Sequence, residues 1–103
     1  MSGEQAQYRI DIHDDASEML YAHVRFVANI SVPAARKLRA TLYKAIVSLE
    51  SMPHRCPMYR TRIADGDYRR LIIGRYQIVF SINEADRIVN IRYILDSRQD
   101  NDI

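Results

Sequence analysis

The segment from Asp67 to Phe80, DYRRLIIGRYQIVF, limits what this chain can fold into more than any other. Apolar residues alternate with other residues on both sides of Gly74-Arg75, which is typical of two strands that each bury one face. Glycine at the first position of a two-residue connection suits a type II′ turn, because glycine tolerates the positive φ needed there. The segment therefore predicts a β-hairpin. We expect its buried face to carry Leu71, Ile73, Tyr76, Ile78 and Phe80, and its opposite face to carry Arg70, Gln77 and Val79.

The size and composition of the chain allow one hydrophobic core. It has 103 residues, of which 48% are hydrophobic and 27% charged. We therefore expect a single domain over residues 1–103, with loosely ordered ends at 1–7 and 97–103. The start of the chain does not resemble a signal peptide, and no apolar run approaches the ~20 residues of a membrane span. Cys56 is the only cysteine, which excludes an internal disulfide and fits a reducing compartment. These features predict a cytoplasmic protein without a membrane partner.

Apolar periodicity divides the rest of the chain into further elements. Tyr8, Ile10 and Ile12 alternate with polar residues and predict a short, half-buried strand. Three- and four-residue spacing then predicts two helices, the first capped by Asp14 or Asp15 and running to about Asn29, the second beginning at Ser31. Their apolar stripes are Met19, Leu20, His23, Val24, Val27 and Ile30, and then Ala35, Leu38, Leu42, Ala45, Ile46 and Leu49.

Two further strand candidates flank the hairpin, at Met58 to Ile63 and at Ile88 to Leu95. The element order is therefore a strand, two helices and then three or four strands in an antiparallel meander. We predict the α+β class, with a helical hairpin packed on one face of the sheet and the other face partly open.

The sequence offers little for catalysis or metal binding. His54 and Cys56 are the closest approach to zinc-ligand spacing, but they flank Arg55 in a proline-containing loop. His23 lies on an apolar helix stripe and is expected to be partly buried with its hydrogen bonds satisfied. Three glycines cannot build a phosphate-binding loop, and no serine or cysteine nucleophile arrangement is visible. We therefore predict no metal, no cofactor and no catalytic residue.

Arginine is the one unusual component of the composition. The chain carries 15 basic residues, and all but Lys37 and Lys44 are arginine. A subset is associated with the predicted sheet: Arg69, Arg70, Arg75, Arg92 and Arg98. A basic face with interleaved tyrosines suits a polyanion or an acidic peptide. The competing interpretation is that these arginines are solvated or pair with Asp65, Asp67, Glu84 and Asp86, and that codon composition explains their number.

The order of these motifs resembles the RelE/ParE superfamily of type II toxins. The similarity runs from Tyr8 to Asp100 and includes L-x-x-x-P at Leu49 and Pro53, then YRRLIIGRYQIVF and IRYILDSRQD. This resemblance implies a toxin that is held silent by a small antitoxin protein, usually encoded beside it. It also implies the RelE/ParE-like fold.

Members of this superfamily act by two mechanisms, and the sequence fits one better. RelE-like toxins cut mRNA on the ribosome, which requires a base, an acid and cations that stabilise the phosphate. Here Ile72 stands where a second basic residue is expected, and Gln77 stands where an arginine should follow Tyr76. No tyrosine or histidine follows Arg98. The RRL motif and the terminal R-Q-D are instead similar to the ParE branch, whose members poison DNA gyrase.

The resemblance therefore predicts a ParE-like toxin that acts on DNA gyrase, is neutralised by an antitoxin and serves in plasmid stabilization. The predicted target-binding residues are Arg69, Arg70, Arg75, Arg92 and Arg98, while the antitoxin-binding residues stay undefined. One alternative is a ribosome-dependent mRNA endonuclease with Arg70, Arg92 and Arg98 near the phosphate, which would make the ribosome and mRNA its partners. A second alternative is a non-toxic binding module that keeps the fold.

Overall fold

Two helices and five strands make up the part of the chain that the computed structural model describes, residues 7–60 and 66–98. A 3-10 turn at Pro53–Arg55 separates the helices from the second strand. The elements are β1 (Arg9–Ile12), α1 (Asp14–Ala28), α2 (Val32–Ser48), β2 (Met58–Tyr59), β3 (Tyr68–Ile73), β4 (Tyr76–Asn83) and β5 (Ile88–Asp96). Neither helix is long and apolar enough to cross a membrane.

The strands form one sheet in the order β1-β5-β4-β3-β2. Strands β2 to β5 are the predicted antiparallel meander, with four members. Strand β1 adds to its edge in parallel with β5, so that Arg9 lies opposite Ile88 and Ile12 opposite Ile91. This position lets Ile10 and Ile12 pack against the core. The predicted α+β class is confirmed, and the parallel edge strand is what the sequence did not reveal.

The predicted hairpin is present between β3 and β4. Ile73 pairs with Tyr76, and Leu71 pairs with Ile78. Gly74 has a φ of +58°, and Arg75 is not among the residues with positive φ, which is the pattern of a type II′ turn. The turn is therefore of the type predicted from the glycine, and it fixes which side chains of both strands share a face.

The main core lies between the two helices and one face of the sheet. We call this face of the sheet the inner face. Most of the α2 stripe is buried there as predicted, and the buried core residues come from the helical segment and from strands β4 and β5: Ala16, Leu20, Leu42, Ala45, Ile46, Leu49, Tyr76, Ile78, Phe80, Val89, Ile91 and Ile94. The stripe predicted for α1 is wrong at its last member, because Ile30 is 78% exposed. Helix α1 ends at Ala28, so Ile30 lies in the connection.

The two helix starts differ from each other. Ser31 caps α2 as predicted, and its hydroxyl accepts a hydrogen bond from the Ala34 backbone N–H at 3.2 Å. The predicted carboxylate cap of α1 is wrong: the N-cap is His13, which makes no side-chain capping bond, and both Asp14 and Asp15 lie in the first turn. There they stabilise the helix through its dipole instead.

Hydrogen bonds join the first and last described residues to the rest of the fold. Gln7 donates its backbone N–H to the carbonyl of Glu50 at 3.0 Å, and Ser97 donates to the carbonyl of Arg75 at 2.8 Å. The Arg98 backbone N–H also donates to Asp96, at 2.9 Å. The looser order expected at 1–7 and 97–103 stays a prediction. Residues 1–6, 61–65 and 99–103, including the end of the strand predicted at Met58 to Ile63, lie outside the described residues.

Candidate functional site

The second face of the sheet, which we call the outer face, carries its own small apolar cluster beneath polar groups. Tyr68, Val79, Tyr93 and Leu95 are buried there, and Tyr59 packs against them. A bulge in β5 shapes this face, because Val79 pairs with Tyr93 whereas Phe80 pairs with Ile91. Arg92 is the extra residue. A bulge of this kind re-aims a side chain, and here it brings Arg92 to the outer face beside Tyr93.

Arg70 is held on the outer face by two neighbours. Its Nη1 donates a hydrogen bond to Gln77 Oε1 at 2.9 Å. Its guanidinium lies 4.8 Å from the ring centroid of Tyr59, a distance at which the positive charge is attracted to the ring face. Arg70 opposes Val79 across the β3–β4 ladder, so its side chain begins at the centre of the outer face.

Arg92 is held in a similar way from the other side. Its Nη1 donates to the hydroxyl of Tyr68 at 3.3 Å, and its guanidinium lies 5.9 Å from the Tyr68 ring and 5.8 Å from the Tyr93 ring. Since Tyr68 belongs to β3 and Arg92 to β5, the arginine side chain reaches across β4. Arg70 and Arg92 therefore both place their side chains on the outer face of the sheet.

No carboxylate within residues 7–60 and 66–98 forms an ion pair with Arg70 or Arg92. Glu84 instead lies 2.6 Å from Nε2 of His54, and Asp86 accepts a hydrogen bond from Asn83 at 3.2 Å. The competing interpretation, in which strand arginines pair with nearby acids, is therefore wrong for these two arginines and the described acids. Asp65, another acid considered, lies outside the described residues.

Arg69 does not belong to the outer face, although it is adjacent to Arg70 in sequence. Its Nη1 donates to the carbonyl oxygens of His54 at 3.2 Å and of Cys56 at 2.6 Å. Successive residues of a strand point to opposite faces, which explains why the side chains of Arg69 and Arg70 lie on different sides of the sheet. Arg69 fastens the loop before β2 to the sheet.

Arg75 and Arg98 converge on Asp96, which is 1% exposed. Arg75 Nη2 lies 2.9 Å from Asp96 Oδ2, and Arg98 Nε lies 3.8 Å from Asp96 Oδ1. With His23 and Phe26 of α1, Arg75 and Asp96 line a cavity of about 220 Å³. Of the five arginines predicted to bind the target, the structure therefore brings Arg70 and Arg92 to the outer face, while Arg69, Arg75 and Arg98 make contacts elsewhere.

Two polar residues of the outer face, His13 and Asn90, were not among the site residues predicted from the sequence. His13 Nε2 lies 3.1 Å from Asn90 Oδ1 and 3.6 Å from Asp11 Oδ2. The backbone N–H of His13 also donates to the carbonyl of Ile91 at 3.0 Å, which places His13 beside Arg92. The alternation in β1 indicates which face Asp11 takes. Its parallel pairing with β5, which brings His13 to Arg92, is a tertiary feature.

The remaining candidate groups are structural. His23 is half-buried, and its Nε2 lies 2.7 Å from the carbonyl of Ile94, as predicted. Burial raises the pKa of the Cys56 thiol, which makes it a poorer nucleophile. Burial and a hydrogen bond to Glu84 likewise raise the pKa of the Tyr8 hydroxyl. Among the residues described, no three His, Cys, Asp or Glu side chains lie together as a metal site would require.

The fold is shared with chains from solved RelE–RelB-type complexes. The toxin–antitoxin complex RelBE2 from Mycobacterium tuberculosis superposes with a TM-score of 0.63 and 20% identity, covering 88% of this chain and 92% of that one. The archaeal RelE–RelB complex from Pyrococcus horikoshii superposes with a TM-score of 0.54 and 23% identity, covering 90% of this chain and 98% of that one. At these identities the comparison concerns the fold alone.

The sequence supplies the family. Residues 10–101 match the model of the ParE toxin of the type II toxin–antitoxin system parDE. A search of curated proteins found no match. The chain belongs to the ParE toxin family, and the predicted membership of the RelE/ParE superfamily is confirmed.

Proposed function

We propose that this ParE-family toxin acts on DNA gyrase through the outer face of its sheet. The observation that carries the proposal is the arrangement of Arg70 and Arg92, which lie on the same face of the sheet without a described carboxylate partner. Positive groups on a surface without a carboxylate partner among the described residues suit an acidic group of another molecule. The resemblance to the ParE branch supplies the identity of the target.

The position of Gln77 supports this choice over RNA cleavage. Gln77 lies on the outer face, where its amide accepts the hydrogen bond of Arg70 at 2.9 Å. A neutral amide lacks the positive charge that an arginine at this position would bring to a phosphate during transesterification. Arg98, required by the endonuclease alternative, has its Nε 3.8 Å from Oδ1 of the buried Asp96. That carboxylate would offset the positive charge which the endonuclease alternative needs from Arg98.

The mRNA endonuclease remains a second candidate because of one observation. The backbone N–H of His13 donates to Ile91, the residue before Arg92, and histidine is the commonest general acid or base near neutral pH. Its Nε2 is engaged by Asn90 at 3.1 Å. A nuclease acting here would use His13 with Arg92, and His13→Ala would abolish specific mRNA cuts in a translating extract.

We infer that the partner that silences this toxin is a small antitoxin. Both structural neighbours are complexes of this kind. An antitoxin segment that folds on the toxin would bury apolar surface and bring acidic groups to the outer face. Such binding would compete with the target for Arg70 and Arg92.

A supercoiling assay with purified toxin and DNA gyrase tests the proposed target. The wild-type chain is expected to inhibit supercoiling, and Arg70→Ala is expected to raise the concentration for half-inhibition by about tenfold or more, since a charge-assisted contact is removed. Arg36→Ala is the matched control, because Arg36 is exposed on α2 and far from the outer face. It should inhibit like the wild type.

Two outcomes would contradict the proposal. Toxin that leaves supercoiling unchanged at saturating concentration would exclude gyrase as the target. Specific mRNA cuts in a translating extract that disappear in His13→Ala would replace it with the endonuclease.

A further inference from the structure

We propose that the outer face recognises an acidic segment of the target protein, with one carboxylate on Arg70, one on Arg92 and an apolar side chain on Ile72. This inference rests on the proposed function in one respect only, that the outer face is the target-binding face. It adds the chemical class of what is bound. It also assigns Tyr59, Tyr68 and Gln77 as the residues that position the two arginines.

The two arginines are supported by a pair of adjacent tyrosines. Tyr59 and Tyr68 are directly opposite each other in the β2–β3 ladder, where cross-strand side chains are in contact range. The Tyr59 ring holds the guanidinium of Arg70 at 4.8 Å, and the Tyr68 ring and hydroxyl hold that of Arg92 at 5.9 Å and 3.3 Å. Each arginine is thus fixed before a partner arrives, which reduces the entropy lost on binding.

The donors of both arginines are only partly used by the described residues. No described carboxylate pairs with Arg70 or Arg92. Each guanidinium has five N–H donors in a planar fork that fits a carboxylate with two parallel hydrogen bonds. Gln77 and Tyr68 each occupy only part of one fork. Two carboxylates would satisfy the remaining donors of both groups.

The tyrosine rings of this face contact arginine side chains and are poorly placed to stack on nucleobases. Proteins that bind single-stranded RNA stack bases on exposed aromatic rings. Here Tyr68 is 5% exposed and Tyr93 is 8% exposed, and the Tyr59 ring lies under Arg70. No ring in this group presents an open face for stacking. Recognition of an RNA strand would therefore depend on phosphates alone.

An exposed apolar residue on the same face favours a protein. Tyr68, Arg70 and Ile72 alternate along β3 and so point to the same side of the sheet. Ile72 is 55% exposed and lies at the hairpin end of the face. Arginine beside an apolar contact is the composition enriched in protein interfaces. In the RelE-like nucleases that this family resembles, a basic residue is expected at position 72. The isoleucine found here would instead provide an apolar contact for a bound protein segment.

An NMR titration of the isotope-labelled full chain tests this inference without gyrase. The probes are a 12-residue peptide of Glu, Leu and Gly, the same peptide with Gln in place of Glu, and a 12-nucleotide oligouridine. The acidic peptide is expected to shift the Nε–Hε signals of Arg70 and Arg92 and the amide of Ile72. The Gln peptide is expected to cause little change.

Two variants distinguish the positioning role of Tyr68 from the contribution of the positive charge of Arg92. Tyr68→Phe keeps the ring but removes the hydroxyl that holds Arg92, and it should weaken peptide binding roughly two- to tenfold. It should also broaden the Nε–Hε signal of Arg92 before any peptide is added, which loss of fold would not do selectively. Arg92→Ala should weaken binding about tenfold or more, and Arg36→Ala should bind as the wild type does.

Two results of the titration would overturn the inference. Oligouridine that shifts the arginine and Ile72 signals at lower concentration than the acidic peptide would overturn the inference in favour of RNA. Peptide binding confined to other residues would also overturn it. Because this titration does not contain gyrase, a positive result with an inactive supercoiling assay would retain the acidic-segment inference and reject gyrase alone.

Discussion

Individual arginines in this chain have distinct roles that their sequence neighbours do not reveal. Arg69 fastens a loop through two carbonyl oxygens, Arg70 stands over Tyr59 on the outer face, and Arg75 neutralises the buried Asp96. Residue type predicted what these side chains can bind. The direction of each side chain decided which partner it meets, since neighbouring positions in a strand face opposite sides.

The ion pair at Asp96 gives a prediction that separates structure from function. Arg75→Ala removes the 2.9 Å contact to a buried carboxylate, so we expect the free energy of unfolding to fall by about 2 kcal/mol. Urea denaturation followed by circular dichroism measures this loss. Folded Arg75→Ala should still inhibit gyrase, because Arg75 lies beside α1 and not on the outer face.

Arg36→Ala on the exposed side of α2 serves as the control for removing an arginine. Unchanged stability of Arg75→Ala combined with lost gyrase inhibition would show that Arg75 contacts the target, as the sequence analysis expected.

Secondary-structure elements were predicted best where a local side chain or backbone preference defines them. Ser31 begins α2 because its hydroxyl accepts the Ala34 N–H, and Gly74 turns the hairpin because it takes a positive φ. Both are contacts or torsions within four residues. The start of α1 was predicted less well, because Asp14 and Asp15 are both able to cap, while the pairing of His13 with Ile91 fixes where the helix begins.

The cap of α2 can be tested directly. Ser31→Ala removes the only side-chain acceptor described at the α2 N-terminus, so we expect a loss of about 1 kcal/mol in the free energy of unfolding. Thermal and urea unfolding would measure it. Ser17→Ala, at an exposed position inside α1, makes the same chemical change without removing a cap and should be neutral or slightly stabilising. An equal loss in both variants would refute the capping role.

At the scale of the whole molecule, the helices and the sheet share one core. Leu42 of α2 is fully buried in a core that also contains residues of α1, β4 and β5. A domain of this size with a single core is expected to unfold in one cooperative transition. The two layers should therefore lose structure together.

Leu42→Ala tests that cooperation. The cavity left by the removed atoms should lower the free energy of unfolding by about 2–5 kcal/mol. The helical circular dichroism signal and the fluorescence of the sheet tyrosines should move to the same new midpoint. Val47→Ala, at a half-exposed position of α2, should change stability far less. Separate midpoints for the two probes would show that helices and sheet unfold independently.

The sequence by itself determined the order of elements, the hairpin with its turn, the helix stripes and the family. These features depend on periodicity and on preferences of residues close in the chain, such as Gly74 and Ser31. The tertiary structure alone decided that β1 pairs in parallel with β5, that a bulge turns Arg92 outward, and that Arg92 of β5 contacts Tyr68 of β3, a strand to which β5 is not paired. Those outcomes depend on contacts between residues far apart in the chain, and local preference contains no information about which distant strands pair.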